Sequence, residues 1–202
     1  MTSSNRPEQL RLFVAVALPP EVREVLARAI GRLRDADLRG VRTVAPEGVH
    51  VTLKFLGNVD TGLVPSLSEA LTAGGEGVAP FELALQGVGA FPDERAPRAL
   101  WAGIAGDTES LAGLARRVDE ACATLGFARE RRAFTPHLTI ARLRDSATVN
   151  DRDRAAQALA AIRADVDGRF TVDALHLIKS TLSQTGPTYQ TLHTVHLRQR
   201  VG

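Results

Sequence analysis

The order of short apolar segments along the chain is the feature that most restricts its fold. β-Branched and aromatic runs of strand length alternate with segments whose apolar residues recur at helical spacing. Several predicted strands follow one another directly, in the order β-α-β-β-α-β-β-α-β-α-β-β. A doubly wound parallel sheet needs a helix between successive strands, so this order predicts an α+β fold with antiparallel sheets.

Proline, glycine and other turn residues mark the ends of the predicted elements. The strands are predicted at 12–18, 41–45, 49–56, 81–88, 99–104, 134–143, 170–178 and 189–197. The helices are predicted at 20–37, 63–73, 109–125 and 154–164. We expect a flexible link at 74–77 and a loop at 89–97, which carries Phe91.

The length and composition indicate one globular domain. The chain has 202 residues, of which 44% are hydrophobic and 24% charged. We expect a flexible tail over 1–10, a single domain over 11–202 and, by default, a monomer. The one cysteine, Cys122, excludes an intrachain disulfide and lies in a helical pattern typical of a small buried side chain. No signal sequence or membrane span is visible, so we expect a cytoplasmic protein without a membrane partner.

The basic residues are almost all arginine. Lys54 and Lys179 are the only lysines among 25 basic residues, which leaves 25 − 2 = 23 arginines. Arginine binds phosphate bidentately and stacks on bases, which is compatible with a nucleotide or RNA ligand. An arginine-rich composition also follows from codon usage, and the net charge is only +2. Composition therefore assigns no function.

Two copies of a His-x-Thr motif indicate a catalytic site. His50 and Thr52 lie on one predicted strand, and His137 and Thr139 lie on another, 137 − 50 = 87 residues later. Strand alternation places each His and Thr on one face and the intervening apolar residues on the other. One such tripeptide is commonly accidental, but two copies with matched alternation predict two polar strand faces that line a cleft.

Imidazole exchanges protons near neutral pH, so two histidines on opposite sides of a phosphodiester can act as general acid and base. Each threonine hydroxyl can donate a hydrogen bond to a non-bridging oxygen. This scheme needs no metal ion and no other cofactor. Lys54 is expected on the His/Thr face, and His176, His193 and His196 match no metal-ligand spacing.

The sequences around the motifs resemble a known family. HVTLKFLG from His50 and FTPHLTIAR from Phe134 look like the paired motifs of the 2H phosphoesterase superfamily. Within it the chain resembles the RNA 2′,3′-cyclic phosphodiesterases, long called 2′-5′ RNA ligases. The likeness runs from about residue 11 to 198 and includes RLFVA, GVGAFP, PRALW and GPTY.

The resemblance implies a bilobal fold with two pseudo-symmetric lobes, each contributing one motif strand to a central cleft. It implies metal-independent hydrolysis of an RNA-terminal 2′,3′-cyclic phosphate to a 2′-phosphomonoester. His50 would be the proton donor and His137 the proton acceptor. Arg142 would hold the phosphate, and Phe91 would stack on the terminal base. Strict alternation places Arg142 on the face opposite His137, so this role needs a bulge or a strand end.

Two other functions remain open. Ligation of a 2′,3′-cyclic end to a 5′-hydroxyl would use the same acid–base pair in reverse. A non-catalytic nucleotide-binding module would use the same cleft without turnover, although intact His and Thr in both motifs count against it. The sequence does not identify the RNA or nucleotide substrate.

Overall fold

The computed structural model describes residues 8–183 and 186–199 of the chain. The strands are β1 (Gln9–Ala17), β2 (Val41–Thr43), β3 (His50–Asp60), β4 (Phe81–Phe91), β5 (Ala99–Gly106), β6 (His137–Leu143), β7 (Asp167–Val172), β8 (Ala174–Ser183) and β9 (Gly186–His196). The α-helices are α1 (Pro20–Asp35), α2 (Val64–Gly75), α3 (Thr108–Ala123) and α4 (Val149–Ala161).

The strands form two antiparallel sheets, so the predicted α+β class is confirmed. The first sheet has the order β3-β1-β8-β9 and the second has the order β2-β6-β5-β4-β7. Helix α1 follows β1 of the first sheet but contacts β7 and β6 of the second. Helix α3 follows β5 of the second sheet but contacts β3 of the first. This exchange of helices ties the two sheets together.

Local sequence explains where the helices begin. Pro19 precedes α1, and Pro20 is its first residue, where a missing N–H costs no helical hydrogen bond. The side chain of Asp107 accepts a hydrogen bond from the Ser110 amide and so caps α3. A capping box between Thr148 and Asp151 starts α4 at Val149, five residues before the predicted start.

Several other predicted boundaries were also wrong. The strand predicted at 170–178 is two strands, because the chain leaves the second sheet at β7 and enters the first at β8. Helix α2 continues into the predicted link through Gly75, which packs against the Val195 side chain. Strand β4 extends to Phe91, which pairs with Ala99, so Phe91 lies in a strand and not in a loop.

The tail predicted over 1–10 falls largely on residues 1–7, which lie outside the described residues, and Gln9 already belongs to β1. The single domain over 11–202 stays a prediction. Cys122 is buried in α3, and burial raises the pKa of its thiol to about 11, as suits a packing residue. In the described ranges, no helix is both long and apolar enough to cross a membrane.

Candidate active site

A one-residue bulge interrupts both motif strands at the same place. In β3, Thr52 pairs with Ala15 and Lys54 with Val14, which leaves Leu53 as the extra residue. In β6, Thr139 pairs with Trp101 and Ala141 with Leu100, which leaves Ile140 as the extra residue. The extra residue and the one after it are both buried, and the next residue is exposed again. The bulges therefore return Phe55 and Arg142 to the faces of the two motif histidines.

The bulge that the sequence analysis required for Arg142 is thus present. The exposed guanidinium of Arg142 lies on the same face as His137 and Thr139. In β3 the equivalent position is held by Phe55, whose side chain is 69% exposed. The two strands share one backbone design but present an arginine in one sheet and an aromatic ring in the other.

The same bulge corrects the position expected for Lys54. Its side chain is buried and points away from His50, towards α3. Lys54 Nζ lies 2.5 Å from Asp119 Oδ1 and donates a hydrogen bond of 2.8 Å to the Ala128 carbonyl. Burial works against ionisation of Asp119, but hydrogen bonds from Lys54 and the Glu130 amide outweigh it and lower the pKa of Asp119. Lys54 is a structural residue that attaches α3 to β3.

His50 stands among aromatic rings. Its imidazole stacks on Phe13 with 4.5 Å between ring centres, and Tyr189 meets it nearly at right angles at 5.4 Å. The carbonyl of Gly48 accepts a hydrogen bond from the imidazole. Burial among these rings lowers the pKa of His50 to about 4, against the smaller raising effect of that bond. The free protein therefore holds His50 neutral at pH 7.

His137 has a similar setting in the second sheet. Its Nδ1 lies 2.8 Å from the carbonyl oxygen of Thr135, which stands two residues earlier, as Gly48 does before His50. A carbonyl only accepts, so Nδ1 carries a proton, and Nε2 is the ring nitrogen that can give or take the second one. The Phe91 ring lies nearly perpendicular to the imidazole at 4.8 Å and is backed by Trp101 at 5.5 Å. Trp101 fits there because position 89 is glycine, where a Cβ would clash with its ring.

The tertiary structure brings the two motif strands together. β3 and β6 lie in different sheets but contact each other. Tyr189 of β9 connects the two sides, because its ring touches His50 and its hydroxyl lies within electrostatic range of Arg142 and Arg11. Burial raises the pKa of Tyr189, and the charges of the two arginines oppose that effect. The six residues expected at the site thus lie on strands of the two sheets, β3 in the first and β4 and β6 in the second, and β3 contacts β6: His50, Thr52, Phe91, His137, Thr139 and Arg142.

The site has polar groups with no internal partner. Thr52 and Thr139 are half-buried, and their hydroxyls make no hydrogen bond within the described ranges. The described residues also contain no cluster of three or more His, Cys, Asp or Glu side chains placed to hold a metal ion. His176 and His193 have side-chain partners instead, Thr194 and Thr72, each at 3.0 Å.

Sequence reasoning gave no role to several residues of this site. Phe13, Trp101 and Tyr189 occur in the segments that carry the family resemblance, but the contacts of Phe13 and Tyr189 with His50, and of Trp101 with Phe91, depend on the tertiary structure. Phe55 had a signal that was available: it stands three residues after Thr52, as Arg142 stands three residues after Thr139.

The chain is similar in sequence to known proteins over most of its length. Residues 19–184 match the family model of the 2′-5′ RNA ligase superfamily. The RNA 2′,3′-cyclic phosphodiesterase of Methanothermobacter thermautotrophicus is 31% identical over 94% of this chain and 100% of its own length. That of Methanocaldococcus jannaschii is 30% identical over 91% of this chain and 98% of its own length.

Solved structures also match nearly the whole chain. The crystal structure of TT0787 of Thermus thermophilus matches with a TM-score of 0.76 and 29% identity, over 94% of this chain and 99% of that one. Escherichia coli LigT, solved in complex with 3′-AMP, matches with a TM-score of 0.72 and 26% identity, over 95% of this chain and 100% of that one.

Proposed function

The chain belongs to the 2′-5′ RNA ligase superfamily, and on that premise we propose that it hydrolyses an RNA-terminal 2′,3′-cyclic phosphate to a 2′-phosphomonoester without a metal ion. The paired motif strands carry the proposal. Two imidazoles, each bonded to the carbonyl two residues earlier, stand at the start of two strands that contact each other and carry matching bulges. In-line displacement at phosphorus needs a proton acceptor on one side and a proton donor on the other.

We assign the acceptor role to His137. Its Nδ1–H is held by the Thr135 carbonyl, so Nε2 is the atom that takes the proton from water. The hydroxide character that develops on the water attacks phosphorus, and the bond to the 3′-oxygen breaks. A neutral ring with a fixed tautomer suits this task.

We assign the donor role to His50, and its lowered pKa sets a condition. The ring is neutral in the free protein, so it must take up a proton when the anionic phosphodiester binds. An adjacent negative charge favours the imidazolium, which raises the pKa in the complex. The proton then passes to the departing 3′-oxygen and leaves a free 3′-hydroxyl and a 2′-phosphate.

The remaining groups orient the phosphate and the base. The unpartnered hydroxyls of Thr52 and Thr139 donate to the non-bridging oxygens, and Arg142 forks onto the phosphate. Phe91, which is half-buried against His137 and Trp101, presents its ring to the terminal base. These groups supply the charge stabilisation that a divalent cation supplies in metal-dependent phosphodiesterases.

The decisive experiment uses an RNA oligonucleotide that ends in a 2′,3′-cyclic phosphate, incubated with and without EDTA. We expect equal turnover in both samples and a 2′-phosphate as the product, identified by phosphorus NMR. A 3′-phosphate as the main product would mean that the donor and acceptor roles of His50 and His137 are reversed. Loss of turnover with EDTA, restored by one divalent ion, would overturn the metal-free scheme. A parallel sample with a 5′-hydroxyl oligonucleotide detects ligation as a longer product.

A further inference from the structure

We propose that Phe55, Arg42 and Arg11 form a binding surface for the RNA strand on the 5′ side of its cyclic end. Phe55 takes the base of a preceding nucleotide, and the two arginines take backbone phosphates. The inference rests on the proposed function, because it extends the same cleft from the terminal phosphate to the strand that carries it. It predicts that the protein prefers oligonucleotides to mononucleotides.

Phe55 is an exposed aromatic ring with support beneath it. Its side chain is 69% exposed, yet its ring contacts Phe13 with 6.2 Å between centres. Phe13 is buried and also stacks on His50, so one ring supports both the motif histidine and Phe55. Exposure of a large apolar side chain near a motif histidine is explained if Phe55 is a stacking platform, because a stacked base would cover its ring.

The arginines are exposed and have no acidic partner within the described ranges. Arg42 of β2 pairs directly with Arg142 of β6, so the two side chains share one face of the sheet. Like charges in directly opposed positions destabilise a sheet unless something neutralises them. Arg11 of β1 lies within electrostatic range of Tyr189, as Arg142 does. Across the described parts of the chain, none of the three forms an ion pair or a side-chain hydrogen bond.

An anion at this end of the cleft removes the repulsion between Arg42 and Arg142. Since Arg142 is assigned to the cyclic phosphate, Arg42 and Arg11 remain for the phosphates that follow it along the strand. A chain that alternates phosphates with flat bases fits exposed arginines without acidic partners together with an exposed aromatic ring near a motif histidine. Single-stranded RNA has this chemistry, and a free mononucleotide occupies only part of it.

The test compares kcat/KM for two substrates, a short oligonucleotide with a 2′,3′-cyclic end and a 2′,3′-cyclic mononucleotide. For Phe55→Ala and Arg42→Gln we expect the oligonucleotide-to-mononucleotide ratio to fall roughly 10-fold. Phe55→Trp should restore the ratio because it keeps an aromatic face. Arg28→Gln is the matched charge control, since Arg28 is an exposed arginine on α1 outside the cleft.

A second measurement, the salt dependence of oligonucleotide affinity, distinguishes a phosphate contact of Arg42 from a structural role. For single strands, each phosphate contact contributes about 0.7 to the slope of log affinity against log salt concentration. Arg42→Gln should reduce this slope for the oligonucleotide by about that amount, and Phe55→Ala should leave it unchanged. Equal losses on both substrates in the variants, or an unchanged salt slope in Arg42→Gln, would overturn the inference. If the wild-type protein hydrolyses neither substrate, the proposed function itself fails.

Discussion

The ring of Tyr189 meets the imidazole of His50 at 5.4 Å and 83°, while Phe13 stacks on the same imidazole at 4.5 Å. Tyr189 comes from the last strand, β9, and also packs over Gly48, where a Cβ would lie 2.9 Å from its ring. The absence of a side chain at position 48 therefore lets Tyr189 close over the start of β3. This contact adds to the burial that lowers the pKa of His50.

We expect Tyr189→Ala to raise the pKa of His50 from about 4 towards the ordinary value near 6.5. Removal of the ring admits water, which stabilises the imidazolium. NMR titration of the His50 ring protons measures the shift directly. Tyr189→Phe keeps the aromatic ring and should leave the pKa low. If His50 in the Tyr189→Ala variant still titrates near pH 4, the low pKa of His50 has another cause.

The same pKa makes the stability of the protein depend on pH. The folded state holds His50 neutral down to about pH 4, whereas the same side chain in the unfolded protein has its ordinary pKa of 6.5. The unfolded state therefore binds more protons between these values, so the free energy of unfolding falls as the pH drops from 6.5 to 4. The contribution is roughly 3 kcal/mol, complete above pH 6.5 and lost by pH 4. Urea unfolding at several pH values checks this slope, with His50→Gln as the control that should lose this contribution and keep the rest of the pH dependence.

His50→Ala and His137→Ala should each lower kcat by about 10²–10⁴-fold without unfolding the protein. Both residues serve one displacement, so the double variant should be little worse than the poorer single variant. Single-turnover hydrolysis of the cyclic-ended oligonucleotide measures the effect, with circular dichroism as the control for folding. Near-normal turnover in either single variant contradicts the two-histidine mechanism.

Asp119→Ala should destabilise the protein by about 3 kcal/mol, because it leaves the buried Lys54 ammonium without its counter-ion. Replacement of both partners, Lys54→Met with Asp119→Leu, should recover most of that loss, since it removes both buried charges. Denaturant unfolding of Lys54→Met, Asp119→Leu and the double variant gives the coupling energy. Additive losses would show that the pair does not act as a unit.

Phe91→Ala should weaken binding of the RNA end more than it slows the chemical step. Base–aromatic stacking contributes about 1–3 kcal/mol and acts largely on the ground state. We therefore expect a higher KM with kcat changed much less. The opposite split, with kcat reduced and KM unchanged, would mean that Phe91 orders His137, whose ring it touches.

The sequence by itself determined the class of the fold, the two motif strands and the kind of chemistry. Period-two alternation placed His50 with Thr52 and His137 with Thr139, and the strand pairs adjacent in sequence predicted antiparallel sheets. The family and the phosphodiesterase class expected from the flanking segments are confirmed by relatives that span nearly the whole chain. These features depend on residues that are near one another in the chain, so the sequence pattern predicts them.

The tertiary structure alone decided which side chains outside the motifs share a face with the motif histidines or contact them. Alternation wrongly placed Lys54 beside His50, because the bulge at Leu53 depends on pairing with β1 and is not encoded by period-two spacing. The matching bulge at Ile140 turned Arg142 towards His137 by the same means. Tyr189 is 189 − 50 = 139 residues from His50 in the chain and reaches it by packing over Gly48, although β9 and β3 are opposite edge strands of their sheet. Register and sheet order depend on long-range pairing, and a single sequence carries no local signal for them.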